Sequence, residues 1–546
     1  MFIRTRNISE FFVFIFILFF FVNITYADSL VTRDDFLCYD TTIGNPPDAF
    51  FHCTAIDGNG NISQVNAVDT IPSLGAFYYH QYNLFDKYGN QIQPVTNFLP
   101  DTINDTPFIS AGYTANYVNS NGISFIPSYT RSPAPISEDF ILGFLFDSDG
   151  KQLGETKCLS CDLPMQYVNW SWNAWGGINN NGNAIAAWVA DFSYSNDDSV
   201  IVRLYYPETD SLSPIISPMS LPHNIIGAPD GYQIYRTETR AKVADDGSFA
   251  VAWNMGGSGF SHILYVVYNS DYTPRTEISI CDCDSSLIDT TQCTGYRANF
   301  MSMAMESDGD FYIAWSVVQV SPYSDVSNHI WMRGYNSDGT PKYDRVRLND
   351  SDSLRLSFWE EIRPYISCND SGNVLVTWTD ARDYTGNYDP KPRNLYAQKV
   401  DPEGNLVGYN YRINNINGSC KGISGVNSCD MNNAGQAIFS WQNYPYDYPR
   451  LASQLMPYDQ VGRFIPGDFN YDLSADIADL ITVVDYMFNN EINTFWPRNL
   501  IDVDSSGNVD IADLVYLVDY MFFNGPVPIT PDEGIRPNPG KFDLGG

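Results

Sequence analysis

The chain has 546 residues, and 64 Asp and Glu against 30 Lys and Arg leave a formal net charge of -34. A surface of that sign repels nucleic acid and anionic lipid, so both are excluded as partners. With 44% apolar residues the chain is able to bury a large core, and its length implies more than one domain.

At the N-terminus, Arg4 and Arg6 precede an apolar run from Phe11 to Val22, and Thr25-Tyr26-Ala27 offers small residues for cleavage before Asp28. This is the pattern of an export signal, expected over residues 1–27. An uncleaved anchor is the alternative, but the run falls short of the roughly 20 apolar residues that a spanning helix needs. No later stretch has the length and apolarity of a span. The expected chain is secreted and does not insert in a membrane.

From 28 to 464 one unit repeats. A turn glycine recurs at Gly60, Gly122, Gly182, Gly247, Gly309, Gly372 and Gly435, at intervals of 60 to 65 residues. In five copies the apolar run that follows it ends in Trp188, Trp253, Trp315, Trp378 or Trp441. Such a period means a solenoid or a propeller. The sixth copy shows the internal plan: a first strand RPYISCND, a turn at Ser371-Gly372-Asn373, a second strand NVLVTW, and a polar loop from Thr379 to Arg393. A third strand NLYAQKVD, a turn at Asp401-Pro402-Glu403-Gly404 and a fourth strand NLVGYNYRI complete it. Four antiparallel strands make a blade, and seven blades around an axis predict a mainly β chain with a seven-bladed β-propeller. An array of sandwiches is the alternative, although linkers rich in Pro or Gly are missing between the units. The wording of the units loosely resembles repeats of large exported bacterial proteins, which supports the blade and implies no activity.

This plan collects the long loops on one face, and loops on a rigid scaffold carry function. They are rich in rings: Phe192, Tyr194, Tyr323, Tyr384, Tyr388, Tyr444, Tyr446 and Tyr448, with Trp170, Trp172 and Trp175 nearby. The periodic Trp residues are expected in the blade core instead. Segment 28–36 is expected to supply a strand that closes the ring against the last blade, whose own fourth strand is short.

Ten cysteines in an exported chain read first as disulfides. Cys38 and Cys53, Cys281 or Cys283 with Cys293, and Cys420 and Cys429 are close in sequence, and Cys158-Leu-Ser-Cys161 reads as a structural disulfide rather than a redox motif. Among catalytic patterns, HExxH and GxSxG are absent, and no two His have metal-ligand spacing. Asp380, Arg382 and Asp383 after Trp378, and Glu360-Glu361, read better as salt-bridged or solvated loops than as catalytic acids.

Near the C-terminus two stretches copy one another: DFNYDLSADIAD, Asp468 to Asp479, and DVDSSGNVDIAD, Asp502 to Asp513. Oxygen side chains fall at loop positions 1, 3, 5, 9 and 12 in both: Asp468, Asn470, Asp472, Asp476 and Asp479, then Asp502, Asp504, Ser506, Asp510 and Asp513. Position 7, Ser474 or Asn508, gives its backbone carbonyl, and the spacing suits a loop wrapping a hard cation. Each loop runs into a similar amphipathic segment, LITVVDYMF or LVYLVDYMF.

This pair resembles a type I dockerin, over about Ile465 to Gly525. The resemblance implies a small all-α, EF-hand-like module (465–525) that binds two calcium ions and docks into a cohesin domain. It also implies that loop positions 10 and 11, Ile477-Ala478 and Ile511-Ala512, help select that partner. Position 6 departs in the first loop: the sharp turn there favours glycine, and Gly507 supplies it, but the first copy has Leu473. Residues 526–546 form a tail rich in Pro and Gly.

The functional expectation is an exported cohesin-docking protein whose propeller recognises a glycan or a protein, within a polysaccharide-degrading assembly. The alternative is a propeller-type glycoside hydrolase or polysaccharide lyase carried on the same dockerin. Aromatic content of 15%, with 37 Tyr, is common on sugar-binding surfaces.

Overall fold

The computed structural model describes the strands and tight turns between residues 36 and 461. It also describes residue 503, helical segments at 476–488 and 510–528, and a two-residue strand at 535–536. Residues 1–35, most of the long loops, and 462–475, 489–502 and 504–509 lie outside that description, and so does the expected export signal.

The strands form seven antiparallel blades. The inner strands are Ala49–Ile56, Ser110–Thr114 with Tyr117–Val118, Trp175–Ile178, Thr239–Val243, Tyr296–Met305, Tyr365–Cys368 and Ser428–Met431. The sixth blade follows the sequence plan: Tyr365–Cys368, Val374–Asp380, Asn394–Val400 and Leu406–Arg412 pair in order. Its second strand runs on past Trp378 to Asp380. Asp380 is buried and ion-paired with Arg382, which also reaches Asp350, so these charges hold a loop base together.

The ring closes through a two-residue strand, Phe36–Leu37, which pairs antiparallel with Arg450–Pro457 as the outer strand of the seventh blade. The closing strand thus lies at the end of the expected segment 28–36 and extends one residue beyond it. Inside the ring the seam is polar: Thr54 Oγ1 lies 2.7 Å from Ser440 Oγ, and Ile56 N donates to Asp430 at 3.0 Å. Trp188, Trp253, Trp315, Trp378 and Trp441 are all fully buried in second strands, so each fills the space between sheets as the period predicts.

Cys158 and Cys161 form a disulfide beside the outer strand of the second blade. Among the described residues no other disulfide forms, Cys281 and Cys429 are free thiols, and Cys38, Cys283 and Cys293 lie outside the described residues. Cys420 bridges backbone to Arg393 at the sixth blade, whereas Cys429 lies on the seventh inner strand with its thiol facing the Tyr365 carbonyl. Nearness in sequence here spans two different blades.

After the propeller come helices α1 (Ile477–Phe488) and α2 (Ile511–Phe523). They share a small core of Leu480, Val483, Val503, Leu514 and Leu517, with Tyr409 of the sixth blade packed against it. The strand at Ile535–Arg536 pairs with Leu406–Val407.

Candidate functional site

Two regions gather chemistry: the propeller axis and the start of the two helices. At the axis, each tight turn carries one residue that ties its blade to the next. Gly58 N donates to the Ser120 carbonyl, and Ser120 N and Oγ donate to Asn180 Oδ1. Asn180 N donates to Asp245 Oδ1 at 2.9 Å, and Asp245 N to the Ser307 carbonyl. Ser307 N donates to Asp370 Oδ1 at 2.8 Å, and Asp370 N to Asn433 Oδ1 at 2.8 Å. Asn432 Nδ2 closes the belt on the Asp57 carbonyl at 2.8 Å. A side chain at Gly58 is forbidden, since a Cβ there would sit 2.6 Å from the Ser120 carbonyl oxygen. Satisfying these turn groups on neighbouring blades makes the belt a rigid rim.

Behind the belt lies an axial cavity of about 230 Å³, lined by all seven inner strands and opening among the turn residues. The described cavity therefore opens on the turn face, away from the long loops. The ring-bearing loop residues singled out in the sequence lie outside the described residues. Trp175 is the exception, and it lines the cavity.

Three residues before each belt residue, the inner strands carry Ala55, Tyr117, Gly177, Lys242, Ala304, Ser367 and Asp430. Four are small, which leaves room for the lysine: a Cβ on Gly177 would meet the Lys242 side chain at 3.0 Å. Lys242 places its ammonium 4.0 Å from the centre of the Tyr117 ring. Burial pulls its pKa down to about 8, against the nearby Asp430 carboxylate, which raises it. Asp430 accepts from Ile56 N, Ser367 Oγ and Met431 N, and burial raises its pKa.

Two positions further along, Arg240 stacks on Trp175, its guanidinium carbon 3.8 Å from the ring centre, and pairs with Glu238 at 3.1 Å. Glu238 in turn pairs with Arg363 at 2.8 Å. Three cysteines, Cys53, Cys368 and Cys429, border the same cavity. Burial pushes Cys53 and Cys429 up to about 12, so they are poor nucleophiles. Lys242, Asp430 and the belt were missed in the sequence. The signal for them is the column read back from each turn glycine, where a charge interrupts small residues.

At the helices, the two copies have the same geometry. Asp476 Oδ1 accepts from Ala478 N at 2.8 Å, and Asp510 Oδ1 from Ala512 N at 2.7 Å. Asp479 Oδ2 accepts from Asp476 N, and Asp513 Oδ2 from Asp510 N, both at 2.8 Å. This is a reciprocal cap at each helix start. Asp479 and Asp513 are 0% and 1% exposed, whereas Ile477 and Ile511 are 45% and 57% exposed. The oxygen donors described here fit a calcium loop: position 12 is buried, and position 9 caps the helix, as suits a residue reaching the ion through water. Asp468, Asn470, Asp472, Ser474, Asp502, Asp504, Ser506 and Asn508 lie outside the described residues, as does Leu473. Among the described residues no cluster of His, Cys, Asp and Glu forms a metal site, and no helix is long and apolar enough to cross a membrane.

No family model matches the chain, and no curated protein matches it. Among solved structures it is similar to the polysaccharide lyase Uly1, at 10% identity and a TM-score of 0.43 over 80% of this chain and 94% of that one. It is also similar to an alpha-L-arabinanase of Penicillium chrysogenum complexed with arabinobiose, at 9% identity and a TM-score of 0.40, over 64% and 94%. The β-propeller domain of the Trilobed protease from Pyrococcus furiosus matches at 9% identity and a TM-score of 0.37, over 79% and 99%.

Proposed function

We propose that this is an exported docking protein: a calcium-dependent dockerin at 465–525 plugs the chain into a cohesin, and the propeller serves as a recognition module for polysaccharide. The observation that carries the docking half is the matched start of α1 and α2. In both copies the position-12 aspartate is buried and hydrogen-bonded to position 9, while the isoleucine at position 10 stands in solvent. A large exposed apolar residue repeated at equivalent sites is a contact surface awaiting a partner. Calcium would be held by Asp468, Asn470, Asp472, Asp476 and Asp479, and by Asp502, Asp504, Ser506, Asp510 and Asp513, with the carbonyls of Ser474 and Asn508. The ion would screen carboxylates that otherwise repel one another. Support for the recognition half comes from the axial cavity, which holds perturbed titratable groups behind a rigid rim.

The test is circular dichroism and binding to a panel of purified cohesins, in calcium and in EDTA. Helicity and binding are expected to fall together in EDTA; an unchanged spectrum would sink the calcium reading. Two matched copies also offer one face in two orientations, so Ile477→Asp or Ile511→Asp alone is expected to weaken affinity little, and the double variant to abolish it. Loss of binding in a single, folded variant would assign docking to one copy.

A further inference from the structure

We propose that the axial cavity binds one acidic sugar residue, its carboxylate paired with the Lys242 ammonium and one hydroxyl donating to Asp430. This rests on the recognition half of the reading above and is independent of docking at the helices.

Size comes first. A cavity of about 150 Å³ takes up benzene, so about 230 Å³ receives one pyranose ring through the turn-face mouth. Charge comes next. Arg240 is spent on Glu238 and Trp175, Glu306 on Lys342 at 3.1 Å, and Asp245 and Asp370 on the belt. Lys242 differs: among the described residues no carboxylate forms an ion pair with it, and its described contact is the Tyr117 ring. An ammonium on a cavity wall with no carboxylate in hydrogen-bond contact is desolvated at a cost that a bound anion offsets through a charge-assisted hydrogen bond.

The opposing group sets the rest of the ligand. Asp430 has about four lone-pair sites, and Ile56 N, Ser367 Oγ and Met431 N take three of them. One acceptor remains for a hydroxyl donor. A single cation facing a carboxylate suits a monoanion that also carries hydroxyls, and disfavours a phosphate dianion, which Asp430 would repel. The small residues Gly177, Ala304 and Ser367 at equivalent positions leave space for the ring between them.

The experiment is isothermal titration of the calcium-loaded full chain with D-glucuronate, D-galacturonate and D-glucose at about pH 6.5, where Lys242 is charged. One uronate is expected to bind saturably and at least tenfold more tightly than glucose. Lys242→Met should remove that preference, and Lys242→Arg should keep it. Equal affinity for glucose and the uronates, or a preference untouched by Lys242→Met, would overturn the acidic-sugar assignment while leaving a neutral-sugar site. No saturable binding of any of the three would overturn the recognition half as well, and cohesin binding by the same preparation would show docking intact. Should Lys242→Met fail to fold, a pH series on the unaltered chain decides. Uronate affinity should fall as Lys242 loses its proton near pH 8, and a flat profile would overturn the proposal. Of the groups facing Lys242, burial raises the pKa of Asp430, Cys368 and Tyr117, and Arg240 is held between Glu238 and the Trp175 ring.

Discussion

His80 and His262 are both buried, yet acid acts on them in opposite directions. His262 lies 2.9 Å from Asp282; burial opposes its charge, but the carboxylate prevails and its pKa is raised. It contributes stability that is present below the unfolded pKa and is lost as pH rises through the folded one. His80 donates or accepts at Ser128 Oγ, 2.9 Å away, and burial lowers its pKa to about 3. The folded chain keeps it neutral while the unfolded chain protonates near pH 6.5, so stability is lost as pH falls below that value. Between pH 7 and pH 5 this one group costs about 2 kcal/mol. His80→Gln, which can keep a bond to Ser128, should therefore show a smaller acid-induced drop in urea midpoint than the unaltered chain. Parallel pH profiles would mean that His80 is protonated in the fold. Single residues of this kind are the least legible in a sequence. Lys242 and Asp430 each break a column of small residues, and such a column exists only once the turn glycines have set the register. The periodic Trp residues, by contrast, announce themselves.

At the scale of elements, repetition is what made the blades legible, because each unit carries its own turn glycine at positive φ, from Gly60 at 88° to Gly435 at 77°. The disulfides were legible in part: Cys158–Cys161 forms as expected, whereas Cys420 and Cys429 are nine positions apart but belong to different blades, and adjacency along the chain carries no information across that boundary. The closing strand was legible in kind, since the last blade has three strands of its own and needs a fourth from the other end of the chain. Phe36 pairs with Ser453 and Leu37 with Ala452. A chain starting at residue 34 should therefore melt like one starting at residue 28. One starting at residue 40 should lose about 1–3 kcal/mol, the worth of a few backbone hydrogen bonds at a sheet edge. Equal melting of the two would show that the seventh blade closes on Thr54–Ser440 and Ile56–Asp430 alone.

At the scale of the molecule, the ring and the helix pair have separate cores. The propeller seam is held by Thr54, Ser440, Ile56, Asp430 and Asn432, and among the described residues none beyond Val461 takes part in it. The helices are held by Leu480, Val483, Val503, Leu514 and Leu517. Among the described residues, what joins them is Tyr409 against that second core and the Ile535–Arg536 strand on the edge of the sixth blade. These contacts are few beside the blade cores, so a chain ending at Pro466 should remain soluble and unfold cooperatively. It should lose no more than about 1–3 kcal/mol, from one exposed tyrosine and two strand pairs. The axial cavity should survive the cut, because all of its lining lies between Cys53 and Asn433. Sugar titration of the truncated chain should match that of the whole, while cohesin binding disappears. Aggregation of the truncated chain, or loss of a cooperative transition, would mean that the helix pair and tail complete the sixth blade rather than dock on it.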